Sequence, residues 1–447
     1  MIELAVRSEA QVRQKKRNEI YATDILIGAI IILVTFRGFI ENTVGYGTFF
    51  VDLCFFLLFV WELYVCFSGE VRKSCHKKIL QFYLLWMILC FAVGFFQVIA
   101  GRTSVYDAII GYRNNNIYTG LFLIAALRLS LQGVKHFYKL FVNCGVFICF
   151  FAIIQYVFRD FLPQSFLVLN GEDIFMLHGS DIIRVTGLMG NTIIFGGFAV
   201  ILFSLVWAEI LARKYQPIVL WAKLIIIALA NYFTFSRASV AGMVAVFILE
   251  FVIYGCTHGK TLKYLAITFI FLIIGLILVL TLFSGSIIVQ RILGLNDAWT
   301  TGSDAGHFDM IADAMDVIGE NWLIGALYGQ SNTVVTDGSF WAYLLEMGIP
   351  VFIVYIAFLL TMFVIALKNC RNKDKIACTV SVGYLGMNAY LLIASFINSA
   401  YSARSVLVFV WLIAGMVLAT ILGAKKGKIK QEGVCNDSQD NSCLLVR

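Results

Sequence analysis

The chain has 447 residues, of which 60% are apolar, 15% aromatic and 14% charged, and its formal net charge is +7. Soluble globular domains average about 45–50% apolar and about 25% charged residues, so this composition excludes soluble globular, collagen-like and disordered chains. At about 20 apolar residues per membrane-spanning helix, the length allows about a dozen spans and one sizeable loop. The sequence therefore predicts an all-α integral membrane protein.

Twelve apolar stretches are candidates for membrane-spanning helices. The stretch 116–131 is short and follows the polar run 112–116, so we expect a tilted or broken helix there. In chain order the twelve stretches are 23–40, 47–67, 79–100, 116–131, 135–158, 190–211, 217–235, 238–255, 263–283, 339–367, 376–397 and 402–423.

These stretches divide the chain into five parts. They are an N-terminal cytoplasmic tail (1–22), spans 1–9 (23–283), a large extracytoplasmic loop (284–338), spans 10–12 (339–423) and a disordered cytoplasmic tail (424–447). Within the loop, 303–322 has the pattern of an amphipathic helix, with apolar residues on one stripe and acidic residues on another. If Ser303 or Asp304 caps this helix, His307 lies in its first turn.

Basic residues are distributed unequally between the two sides of this topology. The set of connections that includes both tails holds 26 of the 34 lysines and arginines. Because basic residues favour the cytoplasmic side, both termini are predicted to be cytoplasmic.

The eight basic residues of the opposite set are all arginines. Arginine stays charged near apolar surroundings and binds phosphate or carboxylate through paired hydrogen bonds. Single members can be interfacial anchors, but the set as a whole indicates an anionic ligand on the outer face. Its members are Arg37, Arg102, Arg113, Arg159, Arg184, Arg237, Arg291 and Arg404.

Four motifs occupy the central and later part of the chain. They are 184–191 (RVTGLMGN), 234–239 (TFSRAS), the pair 306–307 with 321–325 (NWLIG), and 336–349 (TDGSFWAYLLEMGI). In order and spacing they resemble the O-antigen ligase and O-antigen polymerase family, bacterial membrane enzymes that join lipid-linked oligosaccharides. The resemblance covers about residues 184–349.

The chain departs from this family at three positions. Asp337-Gly338 stands where ligases typically have a histidine and a small polar residue. His307 stands where an arginine is common, and Thr192 replaces the proline that often follows the asparagine at position 191. These departures favour a polymerase over a ligase and leave two candidates for the general base.

The resemblance implies a GT-C-like helical bundle that acts as a metal-independent glycosyltransferase, without a cofactor, on the outer face of the bacterial cytoplasmic membrane. The implied substrate is an oligosaccharide linked to undecaprenyl diphosphate. Further partners would be membrane lipid, a flippase and a chain-length regulator, and no nucleic acid is implied. The function that follows is repeat-unit polymerisation for a capsule, exopolysaccharide or O-antigen.

The resemblance also implies roles for particular residues. Arg184 and Arg237 match arginine positions of the family and would stabilise the charge on the departing pyrophosphate. Asp337 is expected to be the general base and His307 a phosphate or sugar contact, with the reverse assignment as the alternative. Further candidate substrate contacts are Asn191, Ser236, Arg113 and Arg404.

Two other functions fit parts of the pattern. A ligase of the same family would transfer the glycan to another acceptor, which the sequence does not distinguish. A lipid-oligosaccharide transporter would also use about a dozen helices, but it would place more charged residues along the bundle axis. The acidic residues inside predicted spans are few, namely Asp52, Glu62, Glu250 and Glu346.

Overall fold

A computed structural model describes most of the chain between residues 22 and 421. The described residues are 22–67, 77–167, 184–213, 215, 217–259, 263, 266–267, 270, 273–274, 297–326, 328–329, 338–396, 403 and 405–421. Within these ranges the chain is helical and contains no strand.

Seven described helices are long and apolar enough to cross a membrane, or eight if one bent pair forms a single span. This confirms the predicted class, an α-helical membrane protein. The total of twelve spans and the extracytoplasmic loop remain predictions, because most of 263–283 and parts of 284–338 lie outside the described residues.

The helices are numbered in chain order. They are α1 (Ala22–Thr35), α2 (Arg37–Val44), α3 (Gly47–Phe67), α4 (Lys77–Ile99), α5 (Val105–Asn115), α6 (Gly120–Arg128), α7 (Leu131–Val157), α8 (Gln164–Leu167), α9 (Thr192–Ala212), α10 (Ile218–Tyr232), α11 (Arg237–Thr257), α12 (Asp297–Glu320), α13 (Ser339–Asn369), α14 (Lys375–Ala394) and α15 (Ser405–Ile421).

The first predicted span is two helices that meet at a sharp bend. The axes of α1 and α2 differ by 73°. After the bend, α2 packs on the segment that precedes α9, where the Phe39 amide donates to the Leu188 carbonyl at 3.0 Å. A Cβ atom at Gly38 would lie 2.5 Å from the Gly190 nitrogen, so glycine permits this close backbone approach.

The predicted break near residue 116 is present, but the helical region begins earlier than predicted. Helices α5 and α6 are separated by a 3₁₀ turn at Ile117–Thr119. The side chain of Ser104 caps α5 by accepting a hydrogen bond from the Asp107 amide at 3.0 Å. An apolar window misses α5 because this helix contains several polar residues.

Helix α13 also contains an interruption. Gly348 has φ 74° and ψ 167°, and Pro350 follows it. The amide of Ile349 is freed from the helical pattern and donates to the Trp322 carbonyl at 2.8 Å. The kink is therefore joined to the turn that ends α12.

Helix α12 corrects the predicted amphipathic helix. It begins at Asp297, so His307 lies in its third turn and neither Ser303 nor Asp304 is the cap. The acidic residues of the described part, 309–320, are exposed as predicted, but the buried stripe is centred on Ala314 and Ile318.

Helices α9 and α14 form the centre of the bundle, with α11 packed against both. The Glu250 side chain of α11 is fully buried between them, where Ser204 donates a hydrogen bond to its carboxyl group. A Cβ atom at Gly386 would lie 2.0 Å from that carboxyl group, so Gly386 provides its space.

The hydrogen bonds and cavity contacts of the described residues group the connections between helices at two ends of the bundle, and each end is named here after one of its residues. The Arg184 end contains α2, the segment 184–191, the turn 232–236 and the turn 321–326. The Lys135 end contains the start of α7, the end of α9 and the turn between α13 and α14.

Candidate functional site

Two of the sequence motifs lie side by side at the Arg184 end. The Arg184 side chain donates from Nε to the Thr234 carbonyl at 2.8 Å. The next residue, Val185, donates its amide to the Phe233 carbonyl at 3.2 Å. The segment before α9 is therefore bonded to the turn between α10 and α11, and Arg184 lies beside the residues that precede Arg237.

A tight turn positions Arg237 at the start of α11. Phe235 has φ 51°, a left-handed conformation that is uncommon for a large side chain and costs backbone free energy. The Thr234 hydroxyl stabilises the turn by donating to the Asn231 carbonyl at 2.6 Å and accepting from the Ser236 amide at 3.2 Å. Arg237 is half-buried directly after this turn.

Asn191 and Ser236 are the N-caps of the two helices that begin here. Asn191 Oδ1 accepts hydrogen bonds from the amides of Ile193 at 2.8 Å and Ile194 at 3.1 Å. Ser236 Oγ accepts from the Ser239 amide at 3.4 Å. Both predicted contact residues thus have a structural role, which the sequence pattern alone would also support.

The buried side chain of Gln155 in α7 holds the segment 184–191 in place. Gln155 Nε2 of α7 donates to the Gly187 carbonyl and to the Phe166 carbonyl, both at 2.6 Å. Gly187 adopts φ 58°, which allows the chain to turn over α7. The segment that carries Arg184 is therefore held both by the turn between α10 and α11 and by the Gln155 side chain of α7.

The chemistry available at this place is anion binding. Arg184 bonds to the turn that precedes α11, and Arg237 is the first residue of α11, where the helix dipole contributes partial positive charge. Arginine at such a place can bind a phosphate or diphosphate through paired hydrogen bonds.

Arg113 belongs to a different group of polar residues. It forms an ion pair with Asp52 of α3, and Tyr118 donates its hydroxyl hydrogen to the same carboxylate. This group lies beside the break between α5 and α6. The structure thus brings together Arg184, Asn191, Ser236 and Arg237, and it places Arg113 with Asp52.

A second polar network was not identified from the sequence. Gln97 Nε2 of α4 donates to the carbonyls of Ile324 and Glu346, both at 2.7 Å, and its Oε1 accepts from the Tyr328 amide at 2.9 Å. Asn115 of α5 donates to the Glu346 carboxylate. These contacts join α5 to the interrupted helix α13.

The signal for this network was present but weak. Gln97 follows a long apolar stretch of α4, and it is fully buried. Buried polar groups are nearly always hydrogen-bonded, so a partner could have been expected, but its position in the chain, more than 200 residues away, could not.

Three of the predicted site residues are not placed. Asp337 and Arg404 lie outside the described residues, and so does the side chain of His307, whose backbone belongs to α12. Within the described part of the chain there is no cluster of three or more histidine, cysteine, aspartate or glutamate residues that could hold a metal ion.

Comparisons with known proteins add no identification. No protein-family model matches the chain, and a search of curated proteins found no match. The fold and the site define an α-helical membrane protein in which two arginine-containing connections are hydrogen-bonded to each other at one end of the bundle.

Proposed function

We propose that this chain is an oligosaccharide repeat-unit polymerase. It would transfer a glycan from undecaprenyl diphosphate to a lipid-linked acceptor during synthesis of a capsule, exopolysaccharide or O-antigen. The observation that supports this proposal is the contact between the two arginine motifs, in which Arg184 bonds to the turn that leads into Arg237.

The proposed chemistry follows from the charge that develops during transfer. As the bond between the sugar and the diphosphate breaks, negative charge accumulates on the departing pyrophosphate. Arg184 and Arg237 would stabilise this charge, because prearranged cationic groups in a site of low dielectric constant lower the energy of the transition state. The acceptor hydroxyl loses its proton to a general base, for which we propose Asp337, with His307 as the alternative.

The proposal includes an orientation. The Arg184 end would face away from the cytoplasm, and the Lys135 end with both termini would face the cytoplasm of a bacterial inner membrane. The excess of lysine and arginine on the connections of the Lys135 end supports this orientation. Twelve spans would place both tails on the same side.

Cysteine labelling tests the orientation. In a cysteine-free chain, Thr43→Cys in α2 and Gln132→Cys in α7 introduce exposed thiols at opposite ends of the bundle. A membrane-impermeant maleimide added to intact cells should label the thiol at position 43, and should label the one at position 132 only after the cells are permeabilised. The reverse pattern would exclude the proposed orientation.

Replacement of the two arginines tests the function. We expect Arg184→Ala and Arg237→Ala each to reduce polymer formation by about 10²-fold or more, because removing one transition-state donor typically has an effect of this size. Polymer is measured on gels from membranes supplied with lipid-linked repeat units. Arg237→Lys should also be impaired, since lysine lacks the planar fork.

Arg159→Ala is the matched control. Arg159 lies at the same end of the bundle, its side chain is 40% exposed, and in the described part of the chain it forms an ion pair with the neighbouring Asp160. This variant should retain normal polymer. Normal polymer in Arg237→Ala as well would remove the site assignment, whereas a single glycan transferred to another acceptor would indicate a ligase.

Asp337→Asn and Asp337→Ala test the base. If Asp337 removes the proton from the acceptor hydroxyl, both variants should lose polymer, because neither asparagine nor alanine can act as a general base. If both retain full activity, the proton is accepted elsewhere, and His307→Gln becomes the next variant to measure.

A further inference from the structure

A cavity opens at the Lys135 end, far along the bundle from the arginine motifs. Its volume is about 600 Å³, within the range of small-ligand sites. It lies between the first turns of α7, the end of α9 and the turn that joins α13 to α14. Three separate parts of the chain therefore form its wall.

Cationic side chains dominate this wall. Two come from α7, one follows α9 and two flank the start of α14, namely Lys135, Lys139, Arg213, Lys373 and Lys375. Among the described residues, the carboxylates that line the same cavity are Glu209 and Asp374. The wall therefore carries an excess of three positive charges.

Both carboxylates already have partners. Glu209 accepts the hydroxyl hydrogen of the buried Tyr138 at 2.8 Å and pairs with Arg213. Asp374 caps α14 by accepting from the amides of Ile376 at 2.9 Å and Ala377 at 3.1 Å. The four lysine ammonium groups have no hydrogen bond or ion pair to any described residue, so their charge is available to a ligand.

Helix ends add to the positive potential. The N-termini of α7 and α14 both face the cavity, and a helix N-terminus favours anions. The floor is closed by Tyr138, whose hydroxyl hydrogen is shared between Glu209 and the Leu205 carbonyl. The cavity is therefore concave and positively charged, and its floor is a buried, hydrogen-bonded tyrosine.

We propose that this cavity binds a molecule that carries a phosphomonoester or diphosphate group. Several ammonium groups converge on a small volume, which matches the multiple negative charges of such a group. A positive-inside charge distribution alone would explain the number of lysines. It would not require several lysines to surround one cavity in which the described carboxylates, Glu209 and Asp374, already have partners.

The ligand could be a lipid headgroup or a soluble phosphate compound, and these two sources can be separated. The purified full-length chain in detergent micelles is titrated with dioctanoyl phosphatidic acid, dioctanoyl phosphatidylcholine and inorganic pyrophosphate, with binding followed by calorimetry. Binding of phosphatidic acid without competition by pyrophosphate indicates a lipid headgroup. Tight binding of pyrophosphate that displaces phosphatidic acid indicates a soluble ligand.

The charge-neutral double variant Lys135→Gln/Lys139→Gln should weaken binding of the phosphate probe by about tenfold or more, because hydrogen bonds to charged groups are among the stronger ones. Lys77→Gln/Lys78→Gln is the matched control, since these two exposed lysines begin α4 at the same end but do not line the cavity. The control should bind like the unmodified chain.

Lys135→Arg/Lys139→Arg should retain binding, which separates loss of charge from loss of fold, and the helix content of each variant is checked by circular dichroism. The proposal is overturned if neither probe binds more tightly than phosphatidylcholine. It is also overturned if the Lys77/Lys78 variant loses as much affinity as the Lys135/Lys139 variant. Polymer formation is a separate readout, so this result does not depend on the proposed function.

Discussion

The two ends of the bundle are constructed differently. At the Arg184 end, segments distant in sequence bond to one another through their backbones, as in the contacts of Phe39 with Leu188, Val185 with Phe233 and Ala326 with Leu345. At the Lys135 end, the described backbone hydrogen bonds of the connections are all local, such as that from Cys378 to Asp374. Long charged side chains surround an open cavity there instead.

Backbone conformation shows the same contrast. Seven of the eight described glycines with positive φ lie at the Arg184 end, and Phe235, the one other described residue with positive φ, lies there too. Conformations of this kind persist only where the surroundings determine them. The Arg184 end therefore holds its backbone in fixed positions, whereas the Lys135 end presents its charged groups at the ends of long side chains.

The largest expected effect comes from crowding the Arg184 end. A Cβ atom at Gly38 would lie 2.5 Å from the backbone of Met189 and Gly190, which are not free side-chain ends and cannot move aside easily. We expect Gly38→Ala to destabilise the protein by about 1–3 kcal/mol and to reduce polymer formation, because it displaces the segment that carries Arg184. Thermal unfolding in detergent micelles measures the first effect.

Gly133→Ala at the Lys135 end is the matched control for this substitution. The nearest atom to its added Cβ would be a Leu129 side-chain carbon at 3.5 Å, an ordinary contact. It should be neutral or stabilising by up to about 1 kcal/mol, since alanine favours helix. Equal destabilisation by both variants would remove the contrast between the two ends.

Two ion pairs, one toward each end of the bundle, should show coupling free energies of intermediate size. Arg128 and Glu62 pair at 2.6 Å toward the Lys135 end with side chains 18% and 12% exposed, and Glu62 also accepts from Thr23. Arg113 and Asp52 pair toward the other end with side chains 25% and 31% exposed. Because attraction between charges increases as water is excluded, the first pair should be coupled more strongly.

Double-mutant cycles with alanine at each position measure this coupling. We expect about 2 kcal/mol for Arg128 with Glu62 and about 1 kcal/mol for Arg113 with Asp52, within the usual range for contacting residues. A larger coupling for the more exposed pair would contradict the assumption that water access determines the difference. In that case the hydroxyl of Tyr118, which also bonds to Asp52, would be the next group to remove.

The smallest expected effect comes from replacing helix N-caps, and it distinguishes a capping role from a role in substrate contact. Asn191 and Asp374 cap helices at opposite ends, and each accepts from two amides. Replacement of either by alanine should destabilise the protein by about 1 kcal/mol. If Asn191 also contacts substrate, only its replacement should reduce polymer beyond what the loss of stability explains.

Asn191→Asp sharpens this prediction. Aspartate is an equally good N-cap, so stability should be retained, while the added negative charge would oppose binding of a diphosphate. Loss of polymer with unchanged unfolding temperature would support a substrate contact. Full activity would leave Asn191 with its capping role alone.

The sequence by itself determined the class of protein and most helix positions. Composition and span-length apolar stretches depend on local chemistry, because each membrane-spanning helix satisfies its own backbone hydrogen bonds. The same local reasoning identified the weak span near residue 116. It also placed Asn191 and Ser236 where helices begin.

Tertiary structure alone decided which of these groups meet. The bend at α2, the kink at Gly348 and the partnership of Gln97 with Glu346 depend on contacts between segments far apart in the chain. The same is true of the pairing that turns Arg113 toward Asp52, and of the lysines that surround one cavity. Periodicity describes the surface of one helix, whereas these features arise from packing between several, and no pattern within a single segment records its partner.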